Sequence, residues 1–217
     1  MKTKIIKLLE QPRAILGGKR SANNYHKFLT ATAFIQGNLK TFIDIGVFRG
    51  DFIDACLKFQ PQANIFGIEP LGEDLIRFKY NSRVNIIKKA LWNKAERCVM
   101  WVNKDSTSQS TFFKDGIQSY YQMSMTRVRF DSLNIKIQRP SFVKLDVERS
   151  EINVLEGFGN LLDKVDVLQL EVFGTDLIRI LQILKPFGFE DFIQIGVRYD
   201  PDYPLKSDLI FFRRRSE

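Results

Sequence analysis

The chain has 217 residues, 44% of them hydrophobic and 27% charged, with a net charge of +8. This length suits one domain with a buried core, and no stretch approaches the roughly 18 uninterrupted apolar residues of a transmembrane helix. Two cysteines, Cys56 and Cys98, and one histidine, His26, exclude a disulfide framework and a clustered zinc site. Both cysteines sit in apolar runs and read as small buried hydrophobes.

The charge is unevenly placed. Residues 1–40 carry eight Lys/Arg against Glu10 alone, whereas the remaining 177 residues hold 25 bases and 24 acids. This divides the chain into a basic helical N-terminal extension or lid, 1–40, and a nearly neutral domain, 41–217. Residues 4–9 and 21–36 of the extension have helical patterns joined by a breaker-rich segment. The extension reads either as a solvated helical face or as an electrostatic guide toward an anionic substrate or an anionic membrane surface. No nucleic-acid-reading motif accompanies it. The N-terminus also lacks an apolar core of signal-peptide length. A cytoplasmic protein without a nucleic-acid partner is expected, its oligomeric state open.

From residue 41 onward strands and helices alternate. TFIDI (41–45) is a short apolar run that ends in a glycine turn, as a buried parallel strand does. Phe52, Ile53, Cys56, Leu57 and Phe59 then form a helical stripe that Pro61 closes. Residues 63–70 read as the second strand, 71–80 as a helix and 84–91 as the third strand. Residues 96–103 read as a further strand, followed by a long polar stretch over 104–122. Strands are predicted over 125–133, 141–147 and 165–173, with helices over 150–158 and 175–187. A closing strand pair is predicted near 189–195 and 207–213. The order implies an α/β fold, doubly wound, with a mostly parallel sheet and helices on both faces.

Two features mark a ligand edge in such a sheet. One is DIGVFRG (44–50), a strand-to-helix turn in which Gly46 lets the backbone turn tightly and approach a ligand, and Gly50 permits close packing at the helix start. The other is Glu69, which closes the second strand 25 residues after Asp44. A carboxylate there can accept hydrogen bonds from both hydroxyls of a ribose, and an acid about 20 residues past the glycine turn has the spacing of ribose recognition. Dinucleotide enzymes use G-x-G-x-x-G against a pyrophosphate, but Phe48 stands where the second glycine would be. Asp44 would repel phosphates yet suit an ammonium group. S-adenosylmethionine has a ribose, an ammonium and no phosphate, so the charges favour it over a nicotinamide cofactor.

Seven stretches in order resemble the FkbM family of S-adenosylmethionine-dependent methyltransferases. They are FIDIGVFRGDF (42–52), FGIEP (66–70), KKALWNKAERCVMWV (88–102), VRFDSL (128–133), FVKLDVERSEINVLEG (142–157), VLQLEV (167–172) and SDLIFFRR (207–214). The fifth is the most diagnostic, resembling [LF]-[IL]-K-[IL]-D-[VI]-E-G-x-E-x-x-V-L-x-G. The resemblance implies a Rossmann-like class I methyltransferase fold with a seven-stranded sheet. It implies a cofactor site at Asp44, Gly46, Val47, Phe48, Gly50, Glu69, Pro70, Ala90 and Leu91. It further implies methyl transfer to a hydroxyl of a sugar or a natural-product-like small molecule. Such an acceptor needs a base within hydrogen-bond reach. Asp146, Glu148 and Glu151 are the candidates, Asp146 foremost as a substrate- or cofactor-side carboxylate, with Lys144 as a neutralising cation. Glu148 and Glu151 read equally as first-turn helix acids. Ser106 to Thr111 offers hydroxyls to a ligand, and Phe112, Phe113, Tyr120 and Tyr121 suit either an apolar ligand or the core. No spaced metal-ligand motif is present, so no metal is expected. The chain departs from the family pattern at Val47 and Phe48, in place of Ala-Asn, and at Arg149, in place of glycine. These departures keep a non-catalytic scaffold as the alternative.

Overall fold

The computed structural model describes residues 19–104, 110–112, 120–198 and 206–213. Helix α1 (Lys19–Thr32) precedes β1 (Thr41–Ile45), α2 (Asp51–Phe59), β2 (Asn64–Ile68) and β3 (Val84–Ile87). Then come β4 (Ala90–Leu91), β5 (Glu96–Asn103), β6 (Tyr120–Val128), β7 (Ser141–Leu145) and α3 (Glu151–Phe158). The order ends with β8 (Val167–Phe173), α4 (Leu177–Leu184), β9 (Phe189–Arg198) and β10 (Lys206–Arg213). Seven strands form one sheet in the order β3-β2-β1-β7-β8-β10-β9. The first five run parallel, and β10 is antiparallel to both its neighbours. Strand order reverses between β1 and β7, the switch point beyond whose carboxyl edge open α/β sheets bind ligands.

Period-two alternation sends successive side chains to opposite sheet faces. Ile43, Val143, Leu145, Leu168 and Leu170 pack with Val154, Leu155 and Phe158 of α3 and Ile180 and Leu184 of α4. On the other face Phe42, Phe142, Val167 and Ile210 meet Phe52, Ile53 and Cys56 of α2 and Phe28 and Ala31 of α1. The ring of Phe28 lies edge-on to Phe42 at 5.4 Å and tilted against Phe142 at 5.7 Å. The mostly parallel seven-stranded sheet with helices on both faces is thus present, and α1, from the basic extension, is seated in one of its cores.

Several elements differ from the sequence-based expectation. The helix expected over 71–80 is a short 3-10 segment, Glu73–Phe78. Leu75 and Phe78 are buried there, while Ile76 and Tyr80 are exposed. One apolar pair spaced by three residues suits the tighter helix. The strand expected over 84–91 divides at the exposed Lys88 and Lys89, leaving β3 in the main sheet and β4 in a second sheet of order β4-β6-β5. The strand expected over 125–133 begins earlier, within the polar stretch, and ends at Val128, where Phe130–Leu133 turn into a 3-10 segment. Helix α1 ends at Thr32 rather than 36, and Cys98 is only half-buried whereas Cys56 is buried. The helix expected over residues 4–9 lies outside the described residues.

Candidate active site

Four strands change from apolar to polar along the face that α1 and α2 cover. Asp44 follows Phe42, Lys144 follows Phe142, and Gln169 and Glu171 follow Val167. On the antiparallel β10, Asp208 precedes Ile210 at the same end of the sheet. The register sets Asp44 beside Lys144, Lys144 beside Gln169, and Glu171 beside Asp208. All five are buried, an arrangement that is unfavourable unless the groups are paired or used.

Lys144, Gln169, Glu171 and Asp208 line a cleft of about 1260 Å³, its open mouth included. Its walls come from residues 46–49, 68–70 and 89–91, from Phe112, and from 145–148. Asn24 and Lys27 of α1 complete it. Asn24 donates to Asp51 at 3.0 Å, and the Lys27 ammonium pairs with Asp208 at 2.6 Å. Of the expected cofactor residues, Gly46, Val47, Phe48, Glu69, Pro70, Ala90 and Leu91 line this cleft, whereas Asp44 and Gly50 do not.

Gly46 and Gly50 both have positive φ, +78° and +83°, a conformation glycine adopts without a Cβ penalty. A Cβ on Gly46 would stand 1.8 Å from the backbone oxygen of Asp146, and one on Gly50 would stand 2.5 Å from the Phe78 ring. The missing side chains therefore serve close packing within the protein, Gly46 making room for the end of β7. Between them Phe48 is also left-handed, φ 52°. Its N–H donates to Glu69 Oε2 at 3.2 Å, and the Leu71 N–H donates to Glu69 Oε1 at 3.0 Å. Burial raises the Glu69 carboxyl above its ordinary value, while these two bonds oppose the shift. Each oxygen keeps a further lone pair.

Lys144 gathers three groups: it donates to Gly46 O at 2.6 Å and lies 3.3 Å from Asp44 and 3.8 Å from Asp146. Burial disfavours its charge, but Asp44 and Asp146 outweigh it and raise its pKa, so it stays an ammonium. Burial pushes Asp44 up to about 6 despite this partner. The carboxyls of Asp146, Glu148 and Glu171 lie within 4.8 Å of one another, a grouping that could hold a cation. Lys206 stands against two of them, 2.6 Å from Glu171 and 3.9 Å from Glu148. Burial, and next the charge of Asp146, raise both glutamates.

Glu148 and Arg149 have φ of 49° and 75°. The tight turn where the family pattern has glycine is thus kept by an arginine in a left-handed conformation, and the same holds for Phe48 where the pattern has asparagine. Glycine, and less readily asparagine, occupy that region at low cost. Glu151 does not line the cleft. It is buried in the first turn of α3, accepting from the Val147 N–H at 2.9 Å, and burial pushes it up to about 8. Ser110 and Phe112 reach the cleft, Thr111 donates to Glu148 O at 3.2 Å, and Tyr121 is exposed. Residues 105–109 and Phe113 lie outside the described residues. The sequence reading missed Asn24, Lys27, Gln169, Glu171, Lys206 and Asp208. Its available signal was the pair of polar residues, Gln169 and Glu171, at alternate positions of an otherwise apolar strand.

Residues 44–190 match the model of the Methyltransferase FkbM domain. Among solved structures, EvdMO1 is similar at 11% identity and TM-score 0.50, over 98% of this chain and 47% of that one, so the chain spans about half of EvdMO1. The N-terminal domain of EvdMO1 in the presence of SAH and D-fucose aligns over 98% and 95% of the two chains, at 10% identity and TM-score 0.48. A candidate hemolysin from Lactococcus lactis aligns over 93% and 90%, at 15% identity and TM-score 0.51. At these identities the likeness is one of fold, the class I methyltransferase fold. No curated protein sequence matches the chain.

Proposed function

The chain belongs to the FkbM methyltransferase family, and from that premise we propose that it uses S-adenosylmethionine to methylate a hydroxyl on a sugar or natural-product-like small molecule. The observation that carries this reading is Glu69. The backbone N–H of Phe48 in the cofactor turn and that of Leu71, two residues beyond Glu69, fix its carboxylate at the end of β2, and its remaining lone pairs are available to the two hydroxyls of a ribose. Two of the buried polar atoms without hydrogen-bond partners among the described residues, Ser150 Oγ and Gln169 Oε1, belong to residues that line the same cleft, and this polar lining fits a polar nucleoside ligand.

The cofactor would supply a methyl group on a positively charged sulfur, already activated for transfer. Val47, Ala90 and Leu91 give the cleft a buried apolar wall suited to an adenine face. The chain's remaining work is to orient the acceptor and to take its proton. Glu148 is the base in this reading. Its raised carboxyl is a stronger proton acceptor than a solvated one, and the Lys206 ammonium stands 3.9 Å from it. Lys144, fixed as an ammonium, neutralises Asp44 and does not exchange protons near neutral pH. Helix α1, through Asn24 and Lys27, closes the acceptor side.

A thermal-shift comparison tests the cofactor. S-adenosylhomocysteine at 100-fold its Kd should stabilise the protein by about 2.7 kcal/mol, while NAD should not. Stabilisation by NAD alone would overturn the reading in favour of an oxidoreductase. Transfer of a labelled methyl to a panel of hydroxylated acceptors then tests the reaction, and binding without transfer to any of them would favour the scaffold.

A further inference from the structure

A sulfonium nucleoside carries an amino-acid tail whose ammonium needs a negative or carbonyl partner in the cleft. The obvious partner, Asp44 at the end of β1, lies behind the cleft wall. Its carboxylate is 1% exposed and does not line the cleft, and although neither oxygen has a hydrogen-bond partner, the Lys144 ammonium faces it at 3.3 Å. The carbonyl of Gly46, the next candidate at the turn, accepts from the same lysine at 2.6 Å. The protein thus fills the strand-end ammonium position with its own side chain.

One strand further across the sheet, Gln169 stands in register with Lys144 and lines the cleft. It is 3% exposed, and its Oε1 is buried with no hydrogen-bond partner. A buried amide oxygen left in this state is unfavourable by the desolvation cost of the group, and a half-turn about its last side-chain bond exchanges oxygen and nitrogen at little steric cost. The carboxylate of Asp146 opens on the same cleft, 39% exposed, with Lys144 no closer than 3.8 Å. We propose that Gln169 is the seat of the cofactor's ammonium, its amide oxygen accepting from the ammonium beside the Asp146 carboxylate, in place of the lysine-occupied Asp44. This rests on the cofactor reading above and assigns Asp146 to the cofactor side of the cleft, leaving Glu148 to the acceptor.

The test is a binding cycle measured by calorimetry with two probes, S-adenosylhomocysteine and its deaminated analogue, which keeps the ribose, the thioether and the carboxylate. The wild-type chain should bind S-adenosylhomocysteine about tenfold more tightly than the analogue, the size expected for a hydrogen bond to a charged group. Gln169→Leu should cut that preference several-fold, with S-adenosylhomocysteine losing more affinity than the analogue. Gln169→Glu, of the same size, should keep or enlarge it, and serves where the leucine variant does not fold. A wild-type preference that survives unchanged in Gln169→Leu, or is lost in Gln169→Glu, overturns the proposal. If neither probe binds the wild-type chain, the cofactor reading itself fails, an outcome distinct from loss of the ammonium preference alone.

Discussion

Glu151 is buried at the start of α3 behind the cleft, and its replacement by glutamine has a pH signature that can be worked out. Burial raises its pKa from 4.5 to about 8 in the folded chain, with the Val147 N–H opposing the rise. A carboxyl whose folded pKa lies above its unfolded one contributes stability that is complete below about pH 4.5. That contribution is lost as pH rises through about 8. At about 1.4 kcal/mol for each pH unit, the change between pH 5 and pH 8 is on the order of 3 kcal/mol. Glutamine keeps the carbonyl that accepts from Val147 and does not titrate. Urea unfolding of wild type and Glu151→Gln should therefore show the variant gaining about 3 kcal/mol relative to wild type from pH 5 to pH 8. Taking the difference between the two proteins cancels Asp44, Glu148 and Glu171, which titrate in both. Stability curves that stay parallel over this range would refute the assignment of Glu151 as a buried, proton-retaining carboxyl.

Arg149→Gly relieves a left-handed backbone and should raise stability by about 1 kcal/mol, a Tm rise of about 2–4 °C for a chain of this size. Arg149→Ala keeps the strain and should not, so equal effects of the two variants would place the cause in the arginine side chain. Gly46→Ala drives a Cβ to 1.8 Å from the Asp146 backbone oxygen, a neighbour that cannot rotate away. It should lower stability by about 2 kcal/mol or more and weaken S-adenosylhomocysteine binding, both read in one thermal-shift series.

The strands were legible because their chemistry is local. TFIDI, SFVKL and VLQLEVF are short apolar runs buried along their whole length, and each is bounded by a turn or a polar residue. The position of Glu69 at the end of β2 was equally local. What could not be seen was how distant polar residues meet. Gln169, Glu171 and Asp208 gain their meaning from sheet register, which sets Lys144 beside Gln169 and Glu171 beside Asp208; the polar pair within β8 was visible in the sequence, but not the residues it meets. Gly46 shows the same limit. Its spacing pointed to a tight turn against a ligand, and the structure adds a second requirement for the glycine, the Asp146 carbonyl 100 residues later in the chain. The segment around Leu75 was read only as a helix, and its i, i+3 apolar pair fits both helical periods.

The buried pair between Lys27 and Asp208 has a consequence for how the protein is made. Both residues lie outside residues 44–190, the range that the family model matches. Lys27 belongs to the first described helix, and Asp208 to the last strand. A ribosome releases the lysine long before its aspartate, so this side of the cleft cannot form until β10 has emerged and slotted between β8 and β9. Any nascent chain shorter than that leaves the Lys27 cation without its Asp208 partner.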